Sequence, residues 1–98
     1  MAVRDPAAEP SDYIRSVGRG FQIVEAVGHA GPNGLNIKQI ARRCGISAAT
    51  VYHLVRTLTY HGYLWRREGG TYVVGPEVAG RYRELVTAYR GLLRSGRC

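Results

Sequence analysis

The stretch from Ile37 to Arg56, IKQIARRCGISAATVYHLVR, constrains this chain more than any other, because its residue types suit two short helices that cross steeply through a tight turn. Ile37, Ile40 and Ala41 supply the inner face of the first helix, with Ala41 small where the second helix passes close to the backbone. Gly45 allows the positive φ that a sharp turn demands. Ile46 brings apolar surface to the junction, and Ser47 is a good N-cap for the second helix. Val51, Leu54, Val55 and Leu58 recur at helical spacing and bury that helix, which turns Ala48, Ala49, Thr50, Tyr52, His53 and Arg56 outward. A helix pair of this kind places its second member in the major groove of DNA. Glycine-turned helix pairs also occur in bundles and docking modules that touch no nucleic acid, so that alternative stays open.

At 98 residues the chain is one small domain. A domain of that size buries only about 60–65% of its unfolded surface, which leaves a thin core and a reason to dimerise. Thirteen arginines and one lysine against seven acidic residues give a net charge of +7 and favour an anionic partner. Arginine suits bidentate contacts to phosphate or guanine, although a membrane surface would also attract such a charge. The charge is uneven: residues 1–35 sum to −1, residues 36–68 to +5 and residues 69–98 to +3. No apolar run approaches the ~18 residues of a membrane span, and the N-terminal MAVRDPAAEPSDY has none, so a cytoplasmic protein with no membrane partner is expected.

Cys44 and Cys98 are too few and too far apart for a disulfide framework or a metal site by spacing. Cys44 reads as a buried thiol acting as a small hydrophobe. His29, His53 and His61 lack the carboxylate or cysteine partners of a nucleophile, an acid–base pair or a metal site, so neither an enzyme nor a cofactor is expected.

Residues 1–11, rich in Ala, Pro and acidic side chains, read as a disordered leader. A winged helix-turn-helix unit is expected over 12–75 and a further helix over 76–98, giving a mainly α fold with a small β-hairpin. From Asp12 to about Gly28, Tyr13, Ile14, Val17, Phe21, Val24 and Val27 follow a three-four spacing that predicts one buried stripe. His29 to Gly34 is loop chemistry, and Asn36 can cap the helix that starts at Ile37. Residues 63–67 and 71–75 are β-prone runs joined by Glu68-Gly69-Gly70, hence a hairpin, the wing. Pro76 suits the first turn of the last helix, where Val78, Tyr82, Leu85, Tyr89 and Leu92 form a coiled-coil seam. Two readings of that seam stay open, packing on the chain's own core or pairing with a second protomer as a dimerisation element.

Ser16 to Val24, Ile37 to Ser47, Thr50 to Leu58, Gly62-Tyr63-Leu64 and Tyr72 to Gly75 together resemble the N-terminal winged helix-turn-helix domain of IclR-family bacterial transcription regulators, over residues from about 13 to 80. The resemblance implies a homodimer that binds a palindromic operator in double-stranded DNA, usually as a repressor. Such regulators continue into a domain that binds a small-molecule effector. This chain stops where that domain would begin, either as a DNA-binding fragment of a longer regulator or as a naturally short DNA binder, and no small-molecule effector is evident in it. The family tends to carry a basic residue where this chain has His53, and basic or polar residues where it has Ala48 and Ala49.

Phosphate positioning is expected of Asn36, Lys38, Arg43, Thr50, Arg66 and Arg67, with Arg19 carried over from the family resemblance. Base readout is expected of Ala48, Ala49, Tyr52, His53 and Arg56; the two alanines can touch a thymine methyl. Arg66 and Arg67 can instead follow the minor groove. Arg42, Arg81 and Arg83 read as solvated surface charges. The contrasting function, a protein-interaction or general DNA-binding module, would show salt-sensitive attraction without sequence preference.

Overall fold

A computed structural model describes residues 8–96. The elements are α1 (Arg15–Ala30), a 3₁₀ turn (Gly31–Asn33), α2 (Ile37–Cys44), α3 (Ala48–Tyr60), β1 (Leu64–Arg66), β2 (Tyr72–Val74) and α4 (Pro76–Ser95). This is the winged helix-turn-helix with an added C-terminal helix that the sequence predicts. Residues 1–7 of the expected leader, and Cys98, lie outside the described residues.

The local signals of α2 and α3 act as read. Asn36 Oδ1 accepts from the Gln39 N–H at 2.9 Å while Gln39 Oε1 accepts from the Asn36 N–H at 2.8 Å, a reciprocal capping box. At the other end Gly45 is left-handed, with φ 66° and ψ 36°, and the N–H groups of Gly45 and Ile46 both donate to the Ala41 carbonyl. Ser47 Oγ then accepts from the Thr50 N–H and opens α3.

The core comprises Ile23, Val27, Leu35, Ile40, Ile46, Val51, Val55, Leu64 and Tyr72, with Leu54, Leu58 and Cys44 half-buried against it. Burial pushes the Cys44 thiol above its ordinary pKa, which suits an inert packing residue. The wing is shorter than its β-prone runs. Its register pairs Leu64 with Val74, Trp65 with Val73 and Arg66 with Tyr72, and the Arg67 N–H closes the turn on the Thr71 carbonyl at 2.7 Å. Leu35, for which the sequence predicts no pairing, exchanges both backbone hydrogen bonds with Tyr72 and so ties the wing to the entrance of α2. A side chain at Gly34, where φ is 65°, would run into the Tyr72 carbonyl, so glycine is what allows this approach.

The first helix corrects the sequence reading. It begins at Arg15 rather than Asp12 and continues through Ala30, taking in two residues of the expected loop. Of the expected stripe only Val27 is fully buried; Val24 is half-buried, and Tyr13, Ile14, Val17 and Phe21 are exposed. Ile23 and Val27, supported by Ala26 and Ala30, face the core instead. At 100° per residue this face lies roughly 120° around the helix from the line through Val17 and Phe21. A three-four spacing marks an apolar line but not which of two lines is covered.

Ile23→Ala should therefore cost about 2–5 kcal/mol, whereas Phe21→Ala should stay within about 0.5 kcal/mol in dilute monomeric protein. Urea unfolding midpoints check the ranking, and the reverse order would return the exposed stripe to the core.

Candidate nucleic-acid interface

The face that α3 turns away from the core is set by the two ends of the helix and by what is buried between them. Val51 and Val55 are fully buried, while Ala48, Ala49, Tyr52, His53 and Arg56 are exposed on the opposite side. Thr50 is half-buried at the edge, its hydroxyl oxygen accepting from Ser47 Oγ at 2.9 Å. Three of the outward side chains touch: the Arg56 guanidinium lies 5.7 Å from the Tyr52 ring centroid, and the Tyr52 and His53 rings meet edge to face at 5.6 Å. The aromatic ring limits the conformations of a long side chain while leaving its N–H groups to solvent. An arginine so held can present its fork to guanine O6 and N7.

Tyr60 extends this face and was not among the sequence candidates. It is 85% exposed and follows His53 and Arg56 at three-four spacing, a signal that was present in the sequence. Trp65, 60% exposed on β1 beside Arg66 and Arg67, is a second aromatic that the sequence reading left out of the interface.

Exposed basic groups stand on α2 and the wing, both of which pack against α3, the expected reading helix. Lys38 and Arg43 project from α2 and Arg66 and Arg67 from the wing, all exposed, whereas Arg19 on α1 is half-buried. Asn36 spends its Oδ1 on the α2 cap, which leaves only its amide N–H groups for phosphate. From Glu25 to Glu68 the chain carries no acidic residue between the two, so nothing on α2, on α3 or on β1 opposes an approaching polyanion. Arg42 is exposed on α2 and Arg83 on α4, as expected of solvated charges. Arg81 is not one: it bonds to the His61 carbonyl at the end of α3, pairs with Glu77 and lies over the Tyr63 ring.

Among the described residues no three of His, Cys, Asp and Glu come together to hold a metal ion, and no helix is long and apolar enough to cross a membrane. On α4 the seam faces away from the core: Tyr82 and Leu85 are 67% exposed, Tyr89 and Leu92 about half, and Val78 alone is half-buried. Of the two open readings of that seam, packing on the chain's own core is not what the structure shows.

The IclR helix-turn-helix domain profile matches residues 16–68. Among solved structures, an IclR-family transcriptional regulator from Brucella abortus aligns with a TM-score of 0.71 at 21% identity, over 89% of this chain and 32% of that one. An IclR-family regulator from Rhodococcus sp. aligns at 0.63 with 28% identity, over 84% of this chain and 32% of the other. The repressor BlcR of Agobacterium tumefaciens aligns at 0.64 with 19% identity, over 89% and 37%. The chain thus spans about a third of the length of the regulators it matches. No curated protein sequence matches it.

Two substitutions separate reading from holding. Arg56→Ala should cost about 1–3 kcal/mol on preferred DNA and relax the preference at one base position, while Arg67→Ala should weaken all duplexes alike and reduce the salt slope by about 1. Titrations of specific and scrambled duplexes across a salt series check both, and equal losses on every sequence for both variants would make this a nonspecific surface.

Proposed function

The chain belongs to the IclR helix-turn-helix family, and from that premise we propose that it is a transcriptional repressor that binds an inverted-repeat operator as a homodimer. The family and fold are those of DNA-binding transcription regulators. The observation that carries the reading is α3, whose buried valines lock one side while Ala48, Ala49, Tyr52, His53 and Arg56 stand clear on the other, in a segment without acidic residues. Its alanines suit thymine methyl groups and its Arg56 suits guanine. Lys38, Arg43, Arg66 and Arg67, exposed on α2 and the wing that pack against α3, are the residues proposed to hold phosphates beside the groove.

Dimerisation rests on the exposed seam of α4. Val78, Tyr82, Leu85, Tyr89 and Leu92 form an apolar line on a helix with no buried residue, and water-exposed lines of this length mark association surfaces. Val17 and Phe21 on α1, with Ile14 at its N-cap, add a second exposed apolar strip. A two-fold dimer presents two reading helices to half-sites about one helical turn apart. The repressor sense is taken from the Agobacterium relative, itself a repressor. A cytoplasmic location goes with binding the bacterial chromosome.

Selection of the protein on sheared genomic DNA at about 150 mM salt, which screens nonspecific phosphate attraction, should retain a few loci that share an inverted repeat. Uniform recovery would sink the operator reading in favour of a general DNA-binding or protein-docking module. Leu85→Glu should lower affinity for the paired half-sites at least tenfold while the thermal midpoint barely moves, because an exposed position tolerates charge within about 0.5 kcal/mol. Unchanged affinity would remove the seam from the interface. Transcription beside a retained locus should rise when the protein is deleted; a fall would make it an activator.

A further inference from the structure

The last helix leaves the winged unit at a joint built from residues distant in sequence. The Gly75 N–H donates to the Tyr63 carbonyl at 2.8 Å, and the Glu77 side chain lies against Gly62, so the base of α4 rests on the segment that ends α3. Beyond that base no α4 side chain is fully buried, and the helix packs only lightly on the other elements. Arg81 spans the gap. Its Nη1 donates to the His61 carbonyl at 3.1 Å, its Nη2 stands 3.6 Å from Glu77 Oε2, and its guanidinium carbon lies 5.3 Å from the centroid of the Tyr63 ring. His61 is the C-cap of α3, where unpaired carbonyls concentrate partial negative charge. Arg81 is therefore bonded to the end of the reading helix itself.

We propose that Arg81 is a positioning residue that fixes the angle between α4 and the reading helix, and thereby the half-site separation that the dimer accepts. The proposal rests on the dimeric operator reading. The exposed Arg81–Glu77 pair alone would hold little. The carbonyl bond and the ring contact restrain the guanidinium in direction as well as distance, which an ammonium group cannot reproduce. From Gly75, at the base of α4, to Leu92 the helix rises roughly 25 Å at 1.5 Å per residue. A swing of about 8° at the base moves that end of the seam by about 3.5 Å, close to the ~3.4 Å between base pairs. With the base of α4 as pivot and Arg81 as strut, losing the strut blurs the spacing by about one base pair in either direction without altering what α3 reads.

The test is selection from a random-sequence duplex pool long enough for two half-sites, run with the wild type, Arg81→Ala, Arg81→Lys and Tyr63→Leu, reading both the half-site sequence and the distance between inverted half-sites. All four should recover the same half-site. The wild type should hold one separation; Arg81→Ala should spread to the neighbouring separations, with the preference among them reduced several-fold. Arg81→Lys should restore it only in part, and Tyr63→Leu should give an intermediate spread. Circular dichroism melting accompanies each variant, and if Arg81→Ala does not fold, the other two decide. A single wild-type separation kept by the variants overturns the proposal and leaves the dimer standing. Loss of the half-site sequence itself overturns it too, because Arg81 would then act on readout. A wild type that recovers only single half-sites removes the dimer reading and this inference with it.

Discussion

The carbonyl of Ala41 accepts two backbone N–H groups, from Gly45 and Ile46, and the direction of the chain after that point is set there. The left-handed turn that makes this geometry costs a side-chain-bearing residue about 1–2 kcal/mol and glycine nothing. Neither α2, at 8 residues, nor α3, at 13, is long enough to persist alone in water, so each exists because the turn lays it against the other. Once crossed, they bring Ile40, Ile46, Val51 and Val55 onto Ile23 and Val27, and those six side chains are most of the core. The wing then closes the remaining side through Leu64 and Tyr72. A small error in the crossing angle would open this core and misdirect the reading helix at once, which ties foldedness and function to the same few atoms.

What the sequence made legible is what depends on near neighbours. Asn36 with Gln39, Gly45, Ser47 with Thr50 and Pro76 each act within three or four residues, and all were readable in order along the chain. The outward face of α3 was readable as well, since Val51 and Val55 leave no doubt about which side is covered. The exposed stripe of α1 was misread because periodicity is blind to the partner: Val17 and Phe21 make as good a line as Ile23 and Val27, and only the position of α2 and α3 decides between them. Leu35 meeting Tyr72 and Arg81 meeting His61 join residues far apart in the chain, so no local window contains both members. Tyr60 differs from these, because its spacing from His53 and Arg56 was in plain view and its place at the end of α3 obscured it.

The partition between apolar and charged groups is unusually clean. No polar or charged side chain is fully buried among the described residues, so folding carries no large desolvation penalty for ions. Arg42, Arg43, Arg56, Arg66 and Arg67 are exposed on α2, α3 and the wing, where salt screens them until a polyanion arrives. Stability in this chain is thus a matter of packing, and affinity a matter of charge.

The outward face of α3 shares no side chain with the core, and this separation reaches beyond a single protein. Ala48, Ala49, Tyr52, His53 and Arg56 can be exchanged with little effect on whether the chain folds, because exposed substitutions seldom shift stability by more than about 0.5 kcal/mol. A lineage carrying such a scaffold can explore new target sequences by drift, one surface residue at a time, without passing through unfolded intermediates.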